Sequence, residues 1–291
     1  MAMRNLWRTF KNSAWLGWQM ESNWADPYLF AIYSIVKPIA GTLILVFMYI
    51  FLSYAGGGGP TNPSLFGYMY LGNALFMYVA QVLFGVTWVI HDDREHYQTL
   101  KYIYISPANF YVYILGRSVS KIAVTTIGVI VTIIFGVTAL GIQMPLSNIS
   151  WPLMLLGMSI GLACIIAFGL ALAGVSFLTA RHAGGMNEGI AGIFYLFCGA
   201  IFPITVLPSW SWPLASVLPI TYWLYVMRVA FFGLGSGVAS YDAMLAGYDI
   251  MQGLLILTVS TLIFIALSFV IFRFGDYMAR KKGLIDMTTG Y

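Results

Sequence analysis

The chain has 291 residues, of which 60% are hydrophobic and only 8% charged, with 14 Lys and Arg against 10 Asp and Glu for a net charge of +4. A soluble domain carries roughly one-quarter charged residues, so a soluble two-domain enzyme has almost no room here, and so small an excess of basic charge does not suit nucleic acid as a partner. Mean hydropathy of +0.85 and 30 glycines fit an all-α polytopic membrane protein, because a surface facing lipid has no use for charge.

Residues 1–26 read as an amphipathic helix lying in the membrane interface. Trp7, Phe10, Ala14 and Trp18 form one stripe beside Arg4, Arg8 and Lys11. Asn12, Gln19, Glu21, Asn23 and Asp26 interrupt the continuous apolar core that a secretory signal needs. Apolar stretches of about 20 residues then follow at 28–54, 65–90, 119–140 and 152–179, with a proline-broken stretch at 190–232 and a last span at 250–272. Turn chemistry joins them at Gly56 to Gly59 with Pro60 and Pro63, at Met144-Pro145 with Asn148, and at Gly233 to Gly237. In the fourth span, Gly157-x-x-x-Gly161 with Ala163, Ala167 and Ala171 offers a seam for close helix packing.

None of those three joints holds a Lys or Arg. The basic residues fall instead in the N-terminal segment, in the second connection (Arg94, Lys101, Arg117, Lys121), in the fourth (Arg181) and after the last span (Arg273, Arg280, Lys281, Lys282). Basic loops stay inside, so both termini are expected in the cytoplasm and the number of crossings is even. Six crossings satisfy this if 190–232 makes one crossing plus an outer re-entrant hairpin at 203–230, broken by Pro203, Pro208, Pro213 and Pro219. Such a hairpin is tolerated only where protein or water satisfies its freed backbone groups.

Two basic residues depart from this pattern. Lys37 lies within the first span, where a charge at the bilayer centre costs about 2.5 to 3.5 kcal/mol; it either snorkels to the cytoplasmic interface or contacts an anionic headgroup on a transport pathway. Arg228 lies at the outer end of the hairpin, where bonding the freed carbonyls of the broken helix is the plainer role and gating the other. Phe202, Trp210, Trp212, Tyr222, Trp223 and Tyr225 suit an exit gate or an ordinary aromatic belt equally. Cys164 and Cys198 sit in apolar runs as small buried thiols, and His91, Asp93 and His96 lack the i, i+4 spacing of a helical metal pair.

The most polar connection, 91–107, reads His91-Asp92-Asp93-Arg94-Glu95-His96-Tyr97-Gln98-Thr99-Leu100-Lys101-Tyr102-Ile103-Tyr104-Ile105-Ser106-Pro107. Leu100, Ile103 and Tyr104 share one helical face, Asp93, Arg94 and Lys101 are expected to face water or a partner, and Pro107 ends the helix. With Gly116-Arg117 downstream, Glu95, Thr99, Leu100, Ser106 and Pro107 resemble the first-connection motif of type-two ABC exporter permeases. Gln98 stands where that pattern usually has Gly, and Lys101 where it has Glu. The run Phe202-Pro203, Leu207-Pro208-Ser209-Trp210, Pro219, Tyr222 and Arg228 is similar to the same family's outer hairpin.

The resemblance implies a coupling helix at 91–107 that docks on a cytoplasmic ABC ATPase present in two copies, and a second permease copy forming a homodimer or related heterodimer. It also implies export across the cell membrane of a lipid, a drug or a lipid-linked glycan. The chain has no Gly-x-x-x-x-Gly-Lys-Ser/Thr loop and no soluble stretch able to hold a nucleotide domain. It is therefore expected to bind no cofactor itself, ATP and Mg being held by the ATPase subunit, with membrane lipids as its other partners. A membrane-embedded enzyme would need a nucleophile or paired acids in the spans, and a passive channel would need polar rings; neither pattern is written in the sequence.

Overall fold

The computed structural model describes residues 2–285 except 24–25, 56–61, 143, 145, 179–182, 234–235, 239–240 and 243–248, and the regular elements among them are all helical. Gly56 to Gly59, Pro60, Pro145, Arg181 and His182 thus lie outside the described residues. The helices are α1 (Ala2–Ser22), α2 (Pro27–Ala55), α3 (Pro63–Tyr78), α4 (Phe84–His91), α5 (Leu100–Ile105), α6 (Phe110–Thr138), α7 (Trp151–Ser176), α8 (Ala183–Phe197), α9 (Trp212–Val217), α10 (Pro219–Phe232) and α11 (Ile250–Lys281). A widened π turn, Val79–Leu83, joins α3 to α4, and a second, Asp92–His96, extends α4. Five helical segments are long and apolar enough to cross a membrane: 28–55, 63–96, 110–138, 151–176 and 250–281.

The sixth passage is built in pieces. Phe177 packs on Phe272 with ring centroids 5.6 Å apart, near the end of the bundle that holds α5. Gly199 meets the Tyr68 hydroxyl near the start of α3, at the opposite end. The chain therefore crosses the bundle between them through α8, whose 15 residues cover only about 22 Å of a hydrocarbon core of about 30 Å. After α8 the described chain is non-helical over 198–203, and it is followed by α9 and α10, which meet at an 83° bend. Phe232, at the end of α10, packs against Gly67 of α3, so the hairpin leaves on the side where it entered. The final turns of α11 return to the α5 end, where α1 also lies, and both termini of the described chain share one side of the bundle.

Two sequence expectations are corrected. First, α6 begins at Phe110, well before 119, so Arg117 and Lys121 belong to a helix and not to a connection. Their polarity lowers local hydropathy, but each is paired, Arg117 with Asp93 and Lys121 with Glu21, and the helix runs on. The Asn109 side chain caps it by accepting from Tyr111 N and Val112 N. Second, α11 continues past Phe272 to Lys281. The helix α1 is seated on α6, with Ser13 at Gly116 and Gly17 at Ser120, which aligns α1 parallel to the first turns of α6; of its stripe Trp7 is exposed and Phe10, Ala14 and Trp18 are half-buried.

The glycine seam of α7 is real and has a specific purpose. Gly157 faces Val226 and Met227 of α10, and Gly161 seats the Trp223 indole. Every residue of α10 is consequently buried, and a short helix too small to hold itself in lipid is held by protein on its flanks. Farther along the same helix, Gly174 meets Gly275 of α11 backbone to backbone.

Candidate functional site

At one end of the bundle, the polar connection folds into two distinct parts. The π turn at Asp92–His96 belongs to the span and turns its charges inward. Asp93, fully buried, accepts from Tyr113 Oη at 2.8 Å and pairs with Arg117 at 3.1 Å. Arg94 pairs with its neighbour Glu95 at 3.1 Å, both side chains being almost wholly enclosed. Asp93 and Arg94 therefore do not face a partner as the sequence suggested. A charge in the last turn of a span is retained by pairing it inside the bundle.

The second part is α5 itself. Leu100 is buried, Ile103 and Tyr104 are half-buried on the same face, and Lys101, Tyr102, Ile105 and Pro107 are exposed. Between the two parts Gln98 adopts φ +52°, the sole positive φ of a non-glycine residue among those described. This left-handed conformation favours glycine. Thr99 N then donates to Asp93 O at 2.8 Å, closing the bend, and Ser106 Oγ accepts from Ala108 N to form the turn with Pro107. Tyr104 donates to Asp276 of α11 at 2.6 Å. Burial and the Asp276 carboxylate push the Tyr104 phenol above its ordinary range.

At the opposite end the hairpin is centred on Arg228, which has no exposed surface. Its guanidinium donates to Gly199 O at 2.6 Å and Ala200 O at 3.3 Å, pairs with Asp242 at 3.2 Å and stacks 3.5 Å from the Tyr68 ring centroid. Tyr68 Oη donates to the same carboxylate at 3.0 Å. Burial pushes the Asp242 carboxyl above its ordinary value, against the pull of Arg228 and the Tyr68 hydrogen bond. Arg228 thus bonds the freed carbonyls of the broken passage, the plainer of its two expected roles.

A family model described as ABC-2 type transporter matches residues 11–232. The chain belongs to that family. Among curated proteins no sequence matches it. It is accordingly a multi-pass membrane permease of an ABC transporter.

Within the single chain the aromatic residues of the hairpin differ in exposure. Tyr222, Trp223 and Tyr225 are buried in α10, and Pro203 and Pro219 are buried at bends, whereas Pro208 and Trp210 are exposed and Phe202 is half-buried. Trp210 contacts Phe197, and Trp212 donates to Leu207 O. Lys37 turns back one helical turn to donate to Tyr33 Oη at 2.5 Å, the geometry of a snorkelling side chain. It also lines a cavity of about 600 Å³ together with Glu21, Tyr33, Gln81, Asp92 and Lys121.

Asp242 and Asp276 were missed as partners. A signal for the first existed: between 203 and 250 the chain offers only two carboxylates, Asp242 and Asp249, to a lone Arg228. For the second, the i, i+4 pair Asp276–Arg280 was legible, but nothing in sequence brings α5 to it.

Proposed function

We propose that the permease is the membrane subunit of an ATP-driven exporter whose α5 end faces the cytoplasm. Two copies of a separate ABC ATPase, holding ATP and Mg, dock there on a dimer formed by this chain with itself or a relative. The single observation that carries this reading is the exposed outer face of α5, with Lys101, Tyr102 and Ile105 presented on a connection whose Asp93, Arg94 and Glu95 are turned inward. Nearly all basic residues lie at the same end, as the inside-positive distribution requires. The cell membrane as location and a hydrophobic or amphipathic substrate, such as a lipid, a drug or a lipid-linked glycan, follow from the same reading. Reversing Lys101 and truncating Tyr102 (Lys101→Glu, Tyr102→Ala) is expected to abolish copurification of the ATPase while leaving the permease folded. Undiminished copurification would remove α5 as the docking element.

Within that reading, Lys37 contacts the anionic headgroup of the transported amphiphile. Its support is its place on the cavity of about 600 Å³, where Lys121 is already paired with Glu21, Asp92 also lines the wall, and Lys37 is bonded, among the described residues, only to the neutral Tyr33 hydroxyl. Lys37→Gln is expected to weaken stimulation of the reconstituted ATPase by anionic lipids but not by neutral hydrophobic drugs. Equal stimulation of wild type and variant would leave Lys37 as a snorkelling residue only.

A further inference from the structure

In the chain, α5 is joined covalently to α4 and α6 alone. In space it is also fastened to the last span. The Tyr104 hydroxyl donates to Asp276 Oδ1 at 2.6 Å. Arg280 grips the same carboxylate with both ends of its fork, Nε to Oδ1 and Nη2 to Oδ2, each at 3.1 Å. The Arg280 guanidinium lies 4.7 Å from the Tyr104 ring centroid, completing a closed three-residue clasp. Tyr104 further stacks on Phe110 at 4.8 Å, and Phe110 in turn meets Phe272, one helical turn before Asp276, at 5.9 Å.

What lies behind the clasp makes it mechanically informative. Gly275, the residue before Asp276, is in backbone contact with Gly174 of α7, so close that a Cβ on either glycine would collide with the facing helix. Closely packed helix backbones move as a unit, because such interfaces shift between discrete arrangements and do not deform continuously. A displacement of α5 therefore reaches the α7–α11 pair directly. The opposite edge of the same connection is tied to α6 through Asp93, Arg117 and Tyr113.

Resting on the reading of α5 as the ATPase-docking element, we propose that Tyr104, Asp276 and Arg280 form a transmission clasp that delivers the motion of α5 to α11 and, through the Gly174–Gly275 contact, to α7. These are positioning residues: they touch neither nucleotide nor substrate. Without the clasp, α5 retains its ATPase and still moves, but the last span no longer follows.

The test uses the full-length permease copurified with its ATPase in lipid nanodiscs, with Mg-ATP and orthovanadate as the probe. Spin labels are placed at Ile105 on α5 and at Met251 near the far end of α11, both exposed positions. In the wild type both label distances shift with nucleotide. In Tyr104→Phe/Asp276→Asn the Ile105 label still shifts, while the fraction of Met251 labels that shift falls by about tenfold, the scale of losing one charge-assisted hydrogen bond. A short bis-maleimide bridge across Tyr104→Cys/Asp276→Cys restores the Met251 response, which a merely misfolded variant does not recover; Cys164 and Cys198 are buried from the reagent. An undiminished Met251 shift in the clasp variant overturns the proposal. An Ile105 label that ignores nucleotide in the wild type overturns the docking reading, and the clasp with it.

Discussion

The Arg228–Asp242 pair gives the sharpest quantitative test of how the broken passage is held. Arg228 is 0% exposed and the Asp242 side chain 3%, with 3.2 Å between the paired atoms. Asp242→Asn leaves the guanidinium buried with two carbonyls and the Tyr68 ring. Removing one member of a buried pair costs about 3 to 5 kcal/mol. The retained hydrogen bonds to Gly199 and Ala200 and the cation–π contact, worth up to about 2 kcal/mol when desolvated, place the expected loss near the lower bound, about 3 kcal/mol. Replacing both members, as in Arg228→Met/Asp242→Leu, removes the stranded charge but orphans the two carbonyls at about 1 to 3 kcal/mol each, so recovery is incomplete. Denaturant unfolding of these three chains in mixed micelles measures both losses. A loss under about 1 kcal/mol, the level of a solvent-exposed pair, would refute the claim that the pair is desolvated and supports the hairpin.

The remaining predictions concern backbone and packing. Gln98→Gly is expected to stabilise the permease by about 1 kcal/mol, because it relieves a left-handed residue at φ +52°; a destabilised variant in thermal unfolding contradicts this. Gly161→Val drives a branched side chain into the Trp223 indole and is expected to cost about 1 to 3 kcal/mol or more, read as protease cleavage of the freed hairpin. Asp93→Asn keeps a partner for Tyr113 but strands the buried Arg117, with an expected cost of about 3 kcal/mol and faster cleavage between α4 and α6; unchanged cleavage would show that the π turn holds without the ion pair.

Much of the architecture was legible because its causes are local. Apolar length marks the spans, and scarce basic residues mark one end of the bundle. Proline at 203, 208, 213 and 219 announces a passage that cannot be one straight helix, and Gly157 with Gly161 announces a seam. Boundaries were less legible where pairing overrides hydropathy: Arg117 and Lys121 look like loop residues until Asp93 and Glu21 neutralise them, after which α6 extends past both toward its Asn109 cap. Exposure was the hardest to read. Asp93, Arg94 and Lys101 are equally polar in sequence, yet a π turn rotates the first two into the bundle and leaves the third outside.

The sequence alone determined that this is an all-α membrane protein, that charge is gathered at one end, and that one passage must be broken, since each follows from what lipid excludes over a stretch of some 20 residues. Only the tertiary structure decided which charges are spent inside and which are offered outward. Asp242 reaches Arg228 across a loop, and Asp276 reaches Tyr104 across 172 positions of chain. Such pairings depend on where helices end in three dimensions, and no local property of either residue encodes them.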